Sequence, residues 1–145
     1  MQTILIATHM GDGKDKIIEK GIRLAELISG PIILLTVIDN KLNFIMPELV
    51  IEATTHWEED LKYVTNEQNK IKEQFKKIQI ETIAVLGNPG SEIIKQAIEN
   101  EVSVIVMGTH GRTGILQIVM GSTAEYVIRH STIPVLVIPM NKYLH

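Results

Sequence analysis

The stretch GTHGRTGILQIVMGST, from Gly108 to Thr123, carries the residue types best suited to chemistry. Gly108 and Gly111 permit close main-chain approach and positive φ. Gly121, Ser122 and Thr123 read as the opening of a helix, whose free N–H groups and dipole suit an anion. The hydroxyls of Ser122 and Thr123 add donors, and Arg112 offers a guanidinium fork for phosphate. Taken singly, Ser122 reads as an N-cap and Arg112 as a solvated side chain. Taken together they describe a phosphate cradle. A P-loop needs Lys before the Ser or Thr, and Met120-Gly121-Ser122 has none. Gly11-Asp12-Gly13 begins like a dinucleotide fingerprint, but Lys16 stands where its third glycine belongs. No paired carboxylates and no nucleophile–base couple lie near the cradle, so efficient chemistry has no visible machinery. His9, His56, His110, His130 and His145 show no metal-ligand spacing, so no metal site built from side chains alone is expected.

The chain that must position these residues has 145 residues and 16.2 kDa, which predicts one domain over 1–145. A chain of this size buries roughly two-thirds of its unfolded surface, enough for a core. Apolar residues make up 45% and charged residues 21%, as in globular domains. A net charge of −3 supplies no basic field for nucleic acid. With no cysteine, disulfides, thiolate zinc sites and thiol catalysis are excluded. No apolar run is long enough for a membrane span. Met1–Thr8 lacks a basic n-region and reads as a strand rather than a signal peptide, so a cytoplasmic location is expected.

Short β-branched runs alternate with helical patterns. Strands are expected at Thr3–Ala7, Ile32–Ile38, Ile80–Leu86, Val102–Met107 and Ile133–Ile138. Between them come a helix with Ile17, Gly21, Leu24, Ala25 and Ile28 on one face, stopped by Gly30-Pro31. A charged helix spans about Glu48 to Lys77, with a stripe of Leu61, Val64, Ile71 and Phe75. A third helix is capped by Ser91 and turns Ile93, Ile94, Ala97 and Ile98 inward. A short fourth one covers Gly121–His130, where Tyr126 packs. Lys41–Ala53 reads as a flap. This alternation implies an α/β fold, a doubly wound parallel sheet with right-handed crossovers. Such sheets bind ligands beyond the carboxyl ends of their strands. Two glycine-bearing loops stand there, Thr8–Lys14 and Gly108–Met120, and the second is far longer than the usual connection of about two to six residues.

The spacing G108-x2-G111-x9-G121-S122 resembles the ATP-binding signature of the universal stress protein family. The flanks VIVMGTHGRTG and STAEYVIRHSTIPVLVIP, the runs ILIAT and ILLTVID, and the Gly87-Asn88-Pro89 turn are similar to that family too, so the likeness covers the whole chain. It implies a Rossmann-like five-stranded sheet of order 3-2-1-4-5 with helices on both faces, ATP as ligand and Mg²⁺ carried with it. By the same resemblance Ala7, Thr8 and His9 form the first binding loop, and Val37 lies near the adenine. Met107 and Gly108 flank the ribose, while Gly111, Arg112, Gly121, Ser122 and Thr123 surround the phosphates. His9 stands where ATP-binding members commonly carry aspartate, and Asp12 follows three positions on. The implied role is a nucleotide-dependent stress-response or signalling module. The alternatives are a dimerising stress protein that does not use ATP or that binds another adenine ligand such as AMP, and a nucleotidyl transferase or hydrolase, whose SGGxDS-type or HIGH-type motifs are absent. In that strand order residues 133–138 lie at a sheet edge, and an apolar edge invites a homodimer by antiparallel pairing.

Overall fold

The computed structural model describes residues 2–39, 50–109 and 120–140. Most of Lys41–Ala53, and Gly111 and Arg112 of the expected cradle, lie outside the described residues. Along the chain run β1 (Ile4–Ala7), α1 (Lys14–Ile28), β2 (Ile32–Asp39), α2 (Val50–Gln74), β3 (Ile80–Gly87), α3 (Pro89–Glu99), β4 (Val104–Gly108), α4 (Ser122–His130) and β5 (Val135–Ile138). The strands form one five-stranded sheet of order β3-β2-β1-β4-β5. Every neighbouring pair is parallel, and Ile4 of β1 lies opposite both Ile32 and Val104.

Two-residue periodicity divides the core into two layers. Ile4 and Ile6 of β1 face Ile17, Ile18, Ile22 and Ala25 of α1 and Val64 and Ile71 of α2. Leu5 and Ala7 face the other way, onto Ile93 and Ala97 of α3 and Ala124 and Val127 of α4. Because β1 is covered on both faces, all four of its residues are apolar and buried.

The helices depart from expectation in their details. Ile28 is 39% exposed and Ile98 56% exposed, so neither belongs to the inward face assigned to it. The stripe of α2 includes a polar member, Gln68, only 1% exposed. Its amide donates to the Ile83 carbonyl at 2.9 Å and reaches the Leu34 carbonyl at 3.4 Å, so the buried amide is satisfied. The cap of α3 is Asn88, not Ser91: the Asn88 side chain accepts from the Ser91 N–H at 3.2 Å and Pro89 opens the helix. As expected, α1 stops before Gly30-Pro31, and its C-cap Ser29 takes left-handed backbone (φ 54°). Gly30 is needed for clearance, since a Cβ there would overlap the Gln2 carbonyl oxygen. No helix among the described residues is long and apolar enough to cross a membrane.

Candidate functional site

In this strand order the chain leaves β1 on one side for β2 and returns on the other at β4, so a crevice opens between the carboxyl ends of β1 and β4. Its volume is about 440 Å³, in the range of small-molecule sites. One wall is apolar, built from Ala7, Leu35, Val37, Ile93 and Met107. The polar lining comes from Thr8 and His9 after β1, Asp39 at the end of β2, Thr109 after β4, and Ser122 and Thr123 of α4. The structure thus brings together Ala7, Thr8, His9, Val37, Met107, Gly108, Gly121, Ser122 and Thr123 from four separate stretches of sequence.

Gly121, Ser122 and Thr123 bring to the crevice the N-terminus of α4. Gly121 is its N-cap and makes no side-chain capping bond, so Ser122 is the first helical residue rather than the cap. The leading N–H groups of α4 are therefore left for an anion, and the dipole favours one. Among the described lining residues there is no Lys or Arg, so main-chain N–H groups and hydroxyls supply the positive end of the crevice. Gly121 has φ −69° and ψ 160°, extended backbone open to any residue. Gly108 likewise does not take positive φ; a Cβ there would come within 2.7 Å of Met140 Cγ and 2.9 Å of Ile17 Cδ1. Its lack of a side chain serves packing beneath the crevice. Gly13, with φ 91°, is the described glycine in the left-handed region.

Thr109 is a fixture that the sequence did not disclose. It is 3% exposed and makes three bonds: its N–H donates to Ile138 O at 3.0 Å, its carbonyl accepts from Gly121 N at 2.7 Å, and its hydroxyl accepts from Met140 N at 3.0 Å. The start of α4 is thereby stapled to the ends of β4 and β5. On the other rim, the buried Thr36 hydroxyl donates to Thr8 O at 2.8 Å and fixes the loop after β1. Asp39 also lines the crevice. As the last residue of β2 it obeys the same rule of carboxyl ends that picked out the other two loops.

His9 is held from within its own loop. The Gly11 N–H donates to its Nδ1 at 2.8 Å, so Nδ1 carries a lone pair and the proton resides on Nε2. Nε2 is buried and, among the described residues, has no hydrogen-bond partner. Burial holds the imidazole below its ordinary value; Asp12 opposes this and Lys14 adds to it. The unfolded chain therefore binds this proton more readily than the folded one. The resulting stability is present in full above the unfolded value of 6.5 and is lost as pH falls through the lowered folded value. Thermal unfolding between about pH 5 and 7.5 is expected to show lower Tm on the acid side, with a shallower dependence in His9→Asn. Superimposable profiles would reject His9 as the cause.

A model described as the universal stress protein family matches residues 1–139. The universal stress protein of Methanothermobacter thermautotrophicus is 30% identical over 88% of this chain and 88% of its own length. The protein MJ0577 of Methanocaldococcus jannaschii is 37% identical over 60% of this chain, a match spanning 58% of that protein. Its solved structure covers 97% of this chain and 96% of its own, with 30% identity and a TM-score of 0.78. A universal stress protein of Archaeoglobus fulgidus, solved in complex with dAMP, shares the fold with a TM-score of 0.58 at 18% identity, covering 94% of this chain and 97% of its own.

Proposed function

Since the chain belongs to the universal stress protein family, we propose that its crevice binds an adenine nucleotide, with ATP and accompanying Mg²⁺ as the ligand. The observation that carries this reading is the pairing, in one crevice, of an apolar wall with an open helix N-terminus. Leu35, Val37, Ile93 and Met107 suit a flat base; the N–H groups and hydroxyls of Ser122 and Thr123 suit phosphate oxygens. The dAMP complex of the Archaeoglobus relative supports a nucleotide in this fold. Among the described residues no group of three or more His, Asp or Glu could hold a metal, so Mg²⁺ would arrive on the triphosphate. Gly111 and Arg112 would complete the phosphate end. The role is binding, with hydrolysis slow at most: a cytoplasmic module whose nucleotide state is read by other components of a stress response. Calorimetry with MgATP tests it, together with mass spectrometry of nucleotide carried through purification. Absence of both heat and retained nucleotide overturns the reading.

The second reading, a different adenine ligand such as AMP or a role without ATP, is favoured by His9. Affinities for ATP, AMP and cAMP decide between them: a phosphate-led site ranks ATP first.

We also propose that the protein is a homodimer. β5 is an edge strand, and Leu136 is 41% exposed on it. Antiparallel pairing of two copies would cover that edge. Light scattering at micromolar concentration is expected to give twice the chain mass, and Leu136→Lys to halve it. A wild-type monomer would exclude the dimer.

A further inference from the structure

His9 has one hydrogen-bonding atom left. Its Nδ1 is spent on the Gly11 N–H at 2.8 Å, so what remains is the Nε2–H donor, buried and, among the described residues, unpartnered, on a residue that lines the crevice. The ring's place is set from several sides. A Cβ on Gly11 would lie 3.0 Å from Nδ1, so the loop folds tightly on the imidazole. The Thr8 hydroxyl donates to the His9 carbonyl at 3.0 Å, and Thr36 holds Thr8 in turn. The ring is therefore held in this tautomer before any ligand arrives; its donor is closed to solvent, so a ligand acceptor meets it only as the loop gives way, and leaving it unmet costs free energy.

We infer that His9 determines specificity by donating its Nε2–H to an acceptor on the nucleoside part of the ligand, the reverse of what a carboxylate at this place would do. A carboxylate can only accept, from an exocyclic amine or a ribose hydroxyl; His9 in this tautomer can only donate. The matching chemistry is an acceptor: a purine ring nitrogen or a ribose oxygen. The inference rests on the nucleotide reading above and adds to it which atom type the crevice demands. Protonation disrupts the arrangement, because a proton on Nδ1 would confront the Gly11 N–H. The charged groups acting on the ring are Asp12 and Lys14.

The test is a cycle of ligand analogues against His9 variants, read by calorimetry. The ligands are ATP, its 1-, 3- and 7-deaza forms, and its 2′- and 3′-deoxy forms. His9→Asn keeps an acceptor near Nδ1 for the Gly11 N–H and removes Nε2; His9→Gln places an amide N–H near Nε2. His9→Asn is expected to weaken ATP about tenfold, as loss of one hydrogen bond does, and His9→Gln to recover part of it. One analogue is expected to bind the wild type about tenfold more weakly than ATP and to lose nothing further in His9→Asn. A deaza form identifies a ring nitrogen, a deoxy form a ribose oxygen. Should His9→Asn fail to fold, the series on wild type and His9→Gln decides by the same criterion. ATP binding with every analogue penalised equally in wild type and variant overturns the inference and leaves the nucleotide site standing. No ATP binding to any of the proteins overturns both.

Discussion

Gly121→Val is expected to lower ATP affinity by about a hundredfold or more while the fold persists. The backbone at 121 is extended, so valine enters without strain. Its main-chain bonds to Thr109 O and from Glu125 N do not depend on the side chain, so α4 still begins there. What changes is access. A branched side chain at the mouth of the helix stands between a phosphate and the N–H groups of Ser122 and Thr123. Losing two hydrogen bonds to a charged group, each worth about 1.5–3 kcal/mol, exceeds the roughly 2.7 kcal/mol that a hundredfold represents. Gly121→Ala is expected to lose less. Calorimetry with MgATP beside a thermal melt separates the effects: unchanged affinity in a folded Gly121→Val protein would remove the phosphate site from α4.

Gly30→Ala is expected to destabilise the protein by about 3 kcal/mol, a large share of the roughly 5–15 kcal/mol available to a domain. The obstacle to its methyl group is the Gln2 carbonyl, main chain just before central strand β1, where Thr3 O accepts from Ser103 N and Ile4 N donates to Pro31 O. The adjoining residue behaves oppositely. Ser29 holds left-handed backbone at φ 54°, so Ser29→Gly is expected to gain about 0.5 kcal/mol by relieving the Cβ conflict. Urea denaturation of both variants checks the pair. A neutral Gly30→Ala would show that β1 yields after all.

This pair shows where sequence reasoning stopped. Gly30-Pro31 correctly announced the end of a helix. That position 30 must stay free of a side chain follows from the approach of residue 2, distant in sequence. Strands were legible because burial on both faces demands continuous apolar runs, as in ILIA of β1. The strand order came from the family resemblance, since alternation alone does not order a parallel sheet. At the site, Gly121, Ser122 and Thr123 were legible through local helix-start chemistry. Gly108 was legible as a necessary glycine, but for the wrong reason: its neighbours Met140 and Ile17 come from other parts of the chain. The donor character of His9 was hidden, because it depends on a bond across a tight turn whose geometry composition does not encode. Thr109 gave no signal, for all three of its bonds reach elements that sequence cannot place beside it.

That threonine also sets what can be altered. With Thr109 O bonded to Gly121 N, the two stems flanking residues 110–120 are joined by the body of the domain itself. Lengthening the span between such stems raises the closure penalty only logarithmically, about 0.6 kcal/mol per doubling. Changes of length between positions 109 and 121 are therefore expected to cost little closure free energy while the Thr109–Gly121 bond holds.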